Sequence, residues 1–153
     1  MNEIVEKLIR GNKTISTMES CTGGGVANAV TNISGASKIL KFSVVTYSNE
    51  FKIKMGVNSD IIDKYSVYSM ETADEMSKNI SKFTSSTYGV GITGKLCRTD
   101  INNPYSRDNI VYISIYDSIY DKYYNSVIEV TKDTREENKE LVINEVIKLL
   151  LSI

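Results

Sequence analysis

"KTISTMESCTGGGVANAVTNI", Lys13 to Ile33, changes period in its middle. The opening "KTISTM" alternates and is rich in β-branched residues, which predicts a strand from about Lys13 to Met18. Past the glycines, Val26, Ala29, Val30 and Ile33 recur on one helical face, which predicts a helix. Glycine is costly inside a helix, so three together at a helix start need a reason. A strand running directly into a helix is the unit of α/β sheets, and ligands there sit beyond the carboxyl ends of strands. A helix N-terminus also offers free N–H groups and a partial positive charge. Two readings stay open on pattern alone. "TGGG" is either a cradle for an anion or nucleotide, or a tight turn whose glycines only relieve crowding.

Outward from this unit, "NEIVEKLIR" places Ile4, Val5, Leu8 and Ile9 on one helical face, ended by Gly11-Asn12. "KILKFSVVTYS" predicts a strand with Val44 and Val45 buried. Short helices follow at Asn49–Lys54 and after Asn58 or Ser59, then a longer one capped by Ser69. "STYGVGITG" reads as a strand entering a turn. Residues 95–108 form a polar loop with the single proline, Pro104. "NIVYISIYD" and "KYYNSVIEVT" alternate across a short link and predict a β-hairpin. Asp133 or Thr134 caps a last helix with Leu141, Val142, Val146 and Leu149 inward. The order implies one three-layer α/β domain over residues 1–153, with a mixed sheet.

The 153 residues carry a formal charge of −1, which gives no field to attract nucleic acid or an anionic membrane. No apolar run approaches the ~20 residues that span a bilayer. The amphipathic N-terminus is not that of a signal peptide, so a cytoplasmic location is expected. The chain contains no histidine. That removes the commonest general base and zinc ligand. Cys21 and Cys97 lack metal-ligand spacing, so neither a metal nor a cofactor is expected. Any catalyst must be built from Ser, Thr, Cys, Lys, Tyr, Asp or Glu.

Ser20 at a helix start is either a cap or a nucleophile whose charge the N–H groups would stabilise. A nucleophilic serine without histidine needs a lysine whose pKa burial has lowered. Lys52, one helical turn past Tyr47 and Asn49 at a strand end, is the candidate. By composition alone it reads as a solvated lysine, and Tyr47 as a half-buried packing residue.

In order along the chain, "TMESCTGGG", "VVTYSNEFKIKMGV", "YSVYSMETADEM" and "GVGITG" together resemble the CinA C-terminal domain family. Its members include stand-alone nicotinamide-nucleotide amidohydrolases. The resemblance runs from the first helix to the last. It implies a three-layer α/β/α domain with a mixed, mostly parallel sheet and a C-terminal β-hairpin plus helix. It also implies hydrolysis of the carboxamide of nicotinamide mononucleotide, or a close analogue, to the nicotinic acid nucleotide and ammonia. Ser20 then resembles the nucleophile, Lys52 the base, and Tyr47 its helper in proton transfer. Thr22, Gly23 and Gly24 would offer N–H groups to an oxyanion or phosphate, and Glu19 and Asn49 would orient the site. Cys21, Gly91, Thr93, Gly94 and Arg135 complete the implied substrate-binding set, with Cys21 a competing nucleophile.

The chain departs from the family after Gly94. Pro-Gly-Gly is replaced by Lys95-Leu96-Cys97, and the later Lys-Pro-Val-Gly region reads Ser106-Arg107-Asp108-Asn109. Lys95, Arg98 and Arg107 are then either phosphate ligands or solvated residues of a loop. The change leaves open a related amide substrate. It also leaves open a non-catalytic pyridine-nucleotide-binding module, or one associated with competence or DNA damage. Arg135 and Lys139, one turn apart, face either a phosphate or the acids of their own helix. The expected partners are a small nucleotide and a second copy of the chain; the tyrosine-rich hairpin of Tyr112, Tyr116, Tyr120, Tyr123 and Tyr124 reads either as an oligomer surface or as ordinary alternating strand packing.

Overall fold

The computed structural model describes residues 1–96 and 109–153. Cys97, Arg98, Pro104, Ser106, Arg107 and Asp108 lie outside the described residues. The chain runs α1 (Asn2–Arg10), β1 (Ile15–Glu19), α2 (Gly25–Thr31), β2 (Leu40–Val45), α3 (Asn49–Lys54), α4 (Ser59–Tyr65), α5 (Met70–Thr84), β3 (Tyr88–Gly94), β4 (Ile110–Asp117), β5 (Lys122–Glu129) and α6 (Arg135–Ser152). The five strands form one mixed sheet in the order β2-β1-β3-β4-β5. β1 is parallel to β2 and β3, β4 is antiparallel to β3, and β5 turns back as the predicted hairpin.

Strand alternation divides the core in two. Ile15, Val90, Ile92, Val111, Ile113 and Ile115 join Val5, Val30 and Val146 from α1, α2 and α6 on one face. Met18 meets Met76, Ile80, Val57 and Ile62 on the other, beneath α3, α4 and α5. These are the three layers the sequence implies. α5 lies so close to the sheet that a Cβ at Gly91 would collide with the Ala73 carbonyl. Gly91 therefore serves helix–sheet packing.

Caps follow the expected chemistry. The hydroxyls of Ser48 and Ser69 accept from Phe51 N and Thr72 N, and Asn58 caps α4. Thr134 and Glu137 form a capping box on α6. Two burial expectations fail outright, and Val44, expected buried, is half-buried. Val45 is 45 % exposed because β2 is an edge strand, and Ile9 is exposed at the rim of α1. Ala29, Ile33, Leu141 and Leu149 are half-buried, while Leu150 takes a core position beside Val142 and Val146. Among the described residues, no helix is long and apolar enough to cross a membrane.

Candidate active site

The site forms where β1, β2 and β3 end together. Ser20 directly follows β1, and its N–H donates to Ile92 O at 3.1 Å, continuing the β1–β3 ladder by one residue. Its carbonyl accepts from Gly23 N at 3.0 Å and closes a tight turn. Gly23 (φ +62°) and Gly24 (φ +91°) follow in the left-handed region, where a side chain would be strained. α2 begins at the next residue. The glycines thus allow a strand to become a helix within a few residues, with Ser20 held at the bend.

Lys52 arrives from the opposite direction. Ser48 caps α3, and the helix carries Lys52 back toward the sheet, where only 2 % of it is exposed. Its Nζ donates to Thr46 O at 2.7 Å and lies 3.2 Å from Ser20 Oγ. Among the described residues no carboxylate pairs with this amine. Burial lowers the Lys52 pKa from the usual lysine value, because the charged form gives up hydration without a counter-ion. A thiolate at Cys21 would oppose that shift, but burial pushes the Cys21 thiol up to about 12. At neutral pH Cys21 is an uncharged thiol and a poor nucleophile. A neutral amine has two N–H groups and one lone pair. One N–H holds Thr46 O, and the lone pair is available for the Ser20 proton. The composition-based expectation for this pair is reversed: Lys52 is buried and Tyr47 is 66 % exposed.

Glu19 is fully buried and its carboxylate is filled from within the protein. Oε1 accepts from Thr17 Oγ1 (3.1 Å) and Ala27 N (3.0 Å), and Oε2 from Thr22 Oγ1 (2.7 Å) and Val26 N (3.0 Å). This is an internal cap of α2, whose N-cap residue, Gly24, has no side chain to do it. It changes the expected N–H supply. Gly23 N is bound to Ser20 O, Gly25 N to Thr22 O, and Val26 and Ala27 to Glu19. Among the described residues, Thr22 N and Gly24 N find no protein acceptor. Cys21 N likewise bonds no other residue there, so an oxyanion at the turn could draw on Cys21, Thr22 and Gly24 but not on Gly23.

An open cleft of about 680 Å³ lies outside the glycine turn, lined in part by Thr22, Gly23, Gly24, Asn28, Arg135 and Lys139. Lys139 Nζ stands over Gly23, 3.6 Å from where a Cβ would be. Arg135 Nη2 donates to the Tyr47 hydroxyl at 3.3 Å. Among the described residues no hydrogen bond joins Tyr47 to Lys52 or Ser20. Asn49 opens α3 as an exposed residue. Thr93 donates its hydroxyl to Val67 O at 2.8 Å and anchors the segment before α5, and Gly94 ends β3 against Val111. The structure therefore brings Ser20, Lys52, Cys21 and Thr22 together. Tyr47 and Arg135 stand at the rim, and Gly91, Thr93 and Gly94 lie within the scaffold. Lys95 stacks its ammonium over the Tyr68 ring, 5.1 Å from the centroid.

One residue escaped the sequence reading. Thr46 is fully buried, and its carbonyl is the hydrogen-bond partner of Lys52. Its place at the carboxyl end of β2, one residue before Tyr47, was the available signal.

The family model for the CinA C-terminal domain matches residues 1–153. A CinA-like protein of Kosmotoga olearia is 40 % identical over 118 residues, covering 76 % of this chain and 28 % of its own. The chain spans about a quarter of the length of the curated relatives it matches. The crystal structure of the competence/damage inducible protein CihA from Agrobacterium tumefaciens superimposes with a TM-score of 0.86 at 23 % identity, covering 99 % of this chain and 93 % of that one. A CinA superfamily protein from Escherichia coli gives 0.87 at 22 % identity, over 98 % and 86 %. At these identities the two structures bear on the fold.

Proposed function

The chain belongs to the CinA C-terminal domain family, and on that footing we propose that it hydrolyses the carboxamide of nicotinamide mononucleotide, or a close analogue, to the nicotinic acid nucleotide and ammonia. The observation that carries the reading is the buried pair: Ser20 Oγ 3.2 Å from the Nζ of Lys52, with burial favouring the neutral amine.

Ser20 Oγ attacks the carboxamide carbon as its proton passes to Lys52. The carbonyl oxygen becomes an oxyanion, which the Thr22 and Gly24 amides are free to meet. Lys52, now an ammonium, returns the proton to the nitrogen as the C–N bond breaks and ammonia leaves. Tyr47, whose hydroxyl accepts from Arg135, keeps its own proton to give in this transfer. Water then attacks the Ser20 ester with Lys52 again as base, releasing the acid and restoring the serine. The phosphate of the substrate fits the Arg135–Lys139 side of the cleft, where two cations and the carboxylate of Glu136 line the glycine turn. α2 cannot serve that anion, because Glu19 already occupies its N-terminal amides.

The test is ammonia release from nicotinamide mononucleotide by the intact protein, by Ser20→Ala and by Cys21→Ala. Turnover that disappears with Ser20 and survives loss of Cys21 supports the dyad. Persistent turnover in Ser20→Ala would sink it. The replacement of Pro-Gly-Gly by Lys95-Leu96-Cys97 favours a second reading, a module that binds a pyridine nucleotide without cleaving it. That reading predicts a ligand-dependent rise in melting temperature with no ammonia released.

A further inference from the structure

We propose that the Thr46 hydroxyl is a substrate-binding group of the Ser20 site, accepting a hydrogen bond from the N–H of a primary carboxamide. The inference rests on the reading of the site as one that takes a carboxamide.

Thr46 is fully buried, yet its Oγ1 has no hydrogen-bond partner among the described residues. Buried hydroxyls are ordinarily satisfied, and an orphan at a catalytic centre points to a partner that arrives with the ligand. Its position follows from strand alternation. Phe42 of β2 packs on Phe83 of α5, with ring centroids 5.8 Å apart. Val44 joins the Met18 cluster on the same face. Thr46 is next in that series. Met18 pairs with Val44 and Glu19 with Val45, and Thr46 N donates to Glu19 O at 2.9 Å. The register therefore sets Thr46 beside Ser20, on the face where Lys52 meets it. Thr46's own carbonyl holds the Lys52 amine.

A carboxamide carbon within reach of Ser20 places its NH2 on the Lys52 side, against Thr46. An NH2 group donates two hydrogen bonds, and a hydroxyl oxygen accepts them. An ester in the same pose offers no N–H. A site built to bond an N–H discriminates against analogues that lack it. Thr46 would thus select amides over esters, and it would hold the leaving nitrogen beside the group that must protonate it.

The experiment compares wild type, Thr46→Val and Thr46→Ser on nicotinamide mononucleotide and on the methyl ester of the corresponding acid, with melting temperatures alongside. Thr46→Val should lose at least roughly tenfold in kcat/KM for the amide and change less than about threefold for the ester. Its melting temperature should hold or rise, since valine leaves no unpaired hydroxyl, and serine should restore amide turnover. Equal amide turnover in wild type and Thr46→Val, or parallel losses on amide and ester, would overturn the proposal while leaving the hydrolase reading intact. If wild type releases no ammonia, nicotinamide and nicotinamide mononucleotide serve as binding probes in a thermal shift. A shift abolished by Thr46→Val keeps Thr46 and discards hydrolysis. A shift equal in both proteins, or none in either, removes Thr46.

Discussion

Replacing Glu19 by Gln tests the internal cap with a side chain of nearly the same shape. Each carboxylate oxygen accepts one α2 amide and one threonine hydroxyl. Glutamine keeps one oxygen and sets an NH2 against the other two donors. The threonine hydroxyl there can rotate and accept. The α2 amide cannot, so Val26 N or Ala27 N is left buried and unpaired. An orphaned buried donor costs about 1–3 kcal/mol, and hydrogen bonds to a charged group are worth about 1.5–3 kcal/mol. Removing a buried charge offsets part of this loss. The net expectation is a destabilisation of about 3 kcal/mol. For a chain of this length that is roughly 6–12 °C in melting temperature. Urea unfolding followed by circular dichroism, at a pH where glutamate is charged, reads it directly. A loss below about 1 kcal/mol would mean that Glu19 is not the cap of α2, and that the glycine turn is held by something else.

Four further outcomes follow from the same geometry. The rise of kcat/KM with pH should have an apparent pKa below 10.5, because burial lowers the Lys52 value; a midpoint at or above 10.5 would refute a neutral-lysine base. The folded protein then binds fewer protons than the unfolded chain between the lowered pKa and 10.5, so stability rises with pH through that window. Lys52→Met should therefore be inactive, and its stability should lack the rise that wild type shows between the lowered pKa and 10.5. Gly91→Ala forces α5 off the sheet at the Ala73 carbonyl and should cost about 3 kcal/mol, the upper end for overpacking, in a denaturant titration. Arg135→Ala and Lys139→Ala should each raise KM for a phosphorylated substrate roughly tenfold with kcat little changed, and added salt should shrink the difference.

The architecture was legible because its signals are local. Period changes, caps at Ser69 and Thr134, and the alternation of the last two strands each state an element from a few residues. Val45 was misread because edge position is a property of strand order, which hydropathy does not encode. The site was legible as residue types in sequence, but their environments were not. Lys52 reads as solvated because lysines usually are. Its burial depends on α3 turning back over the end of β1, a contact 32 residues distant in sequence. Tyr47 fails in the opposite sense, since nothing in "VVTYSNEFK" says that its ring faces outward to α6.

The glycine run shows how one local pattern leaves two electrostatic readings open until the neighbouring side chains are placed. Glycines before a helix suggest an anion cradle, because the amides are free and the approach is open. Here the last residue of β1 is itself an anion. The Glu19 carboxylate reaches forward to Val26 and Ala27, so the positive end of α2 is neutralised before any ligand arrives. Tasks that such a helix would perform together are then divided. In the proposed reaction an oxyanion would have the Thr22 and Gly24 amides of the turn, and a phosphate the side-chain cations of α6. A free helix N-terminus beside Lys52 would favour its neutral form, but it would equally invite anions into the nucleophile's pocket. With Glu19 in place, the substrate of the proposed reaction would gain most by setting its phosphate outward, toward Arg135 and Lys139, and its carboxamide inward, toward Ser20.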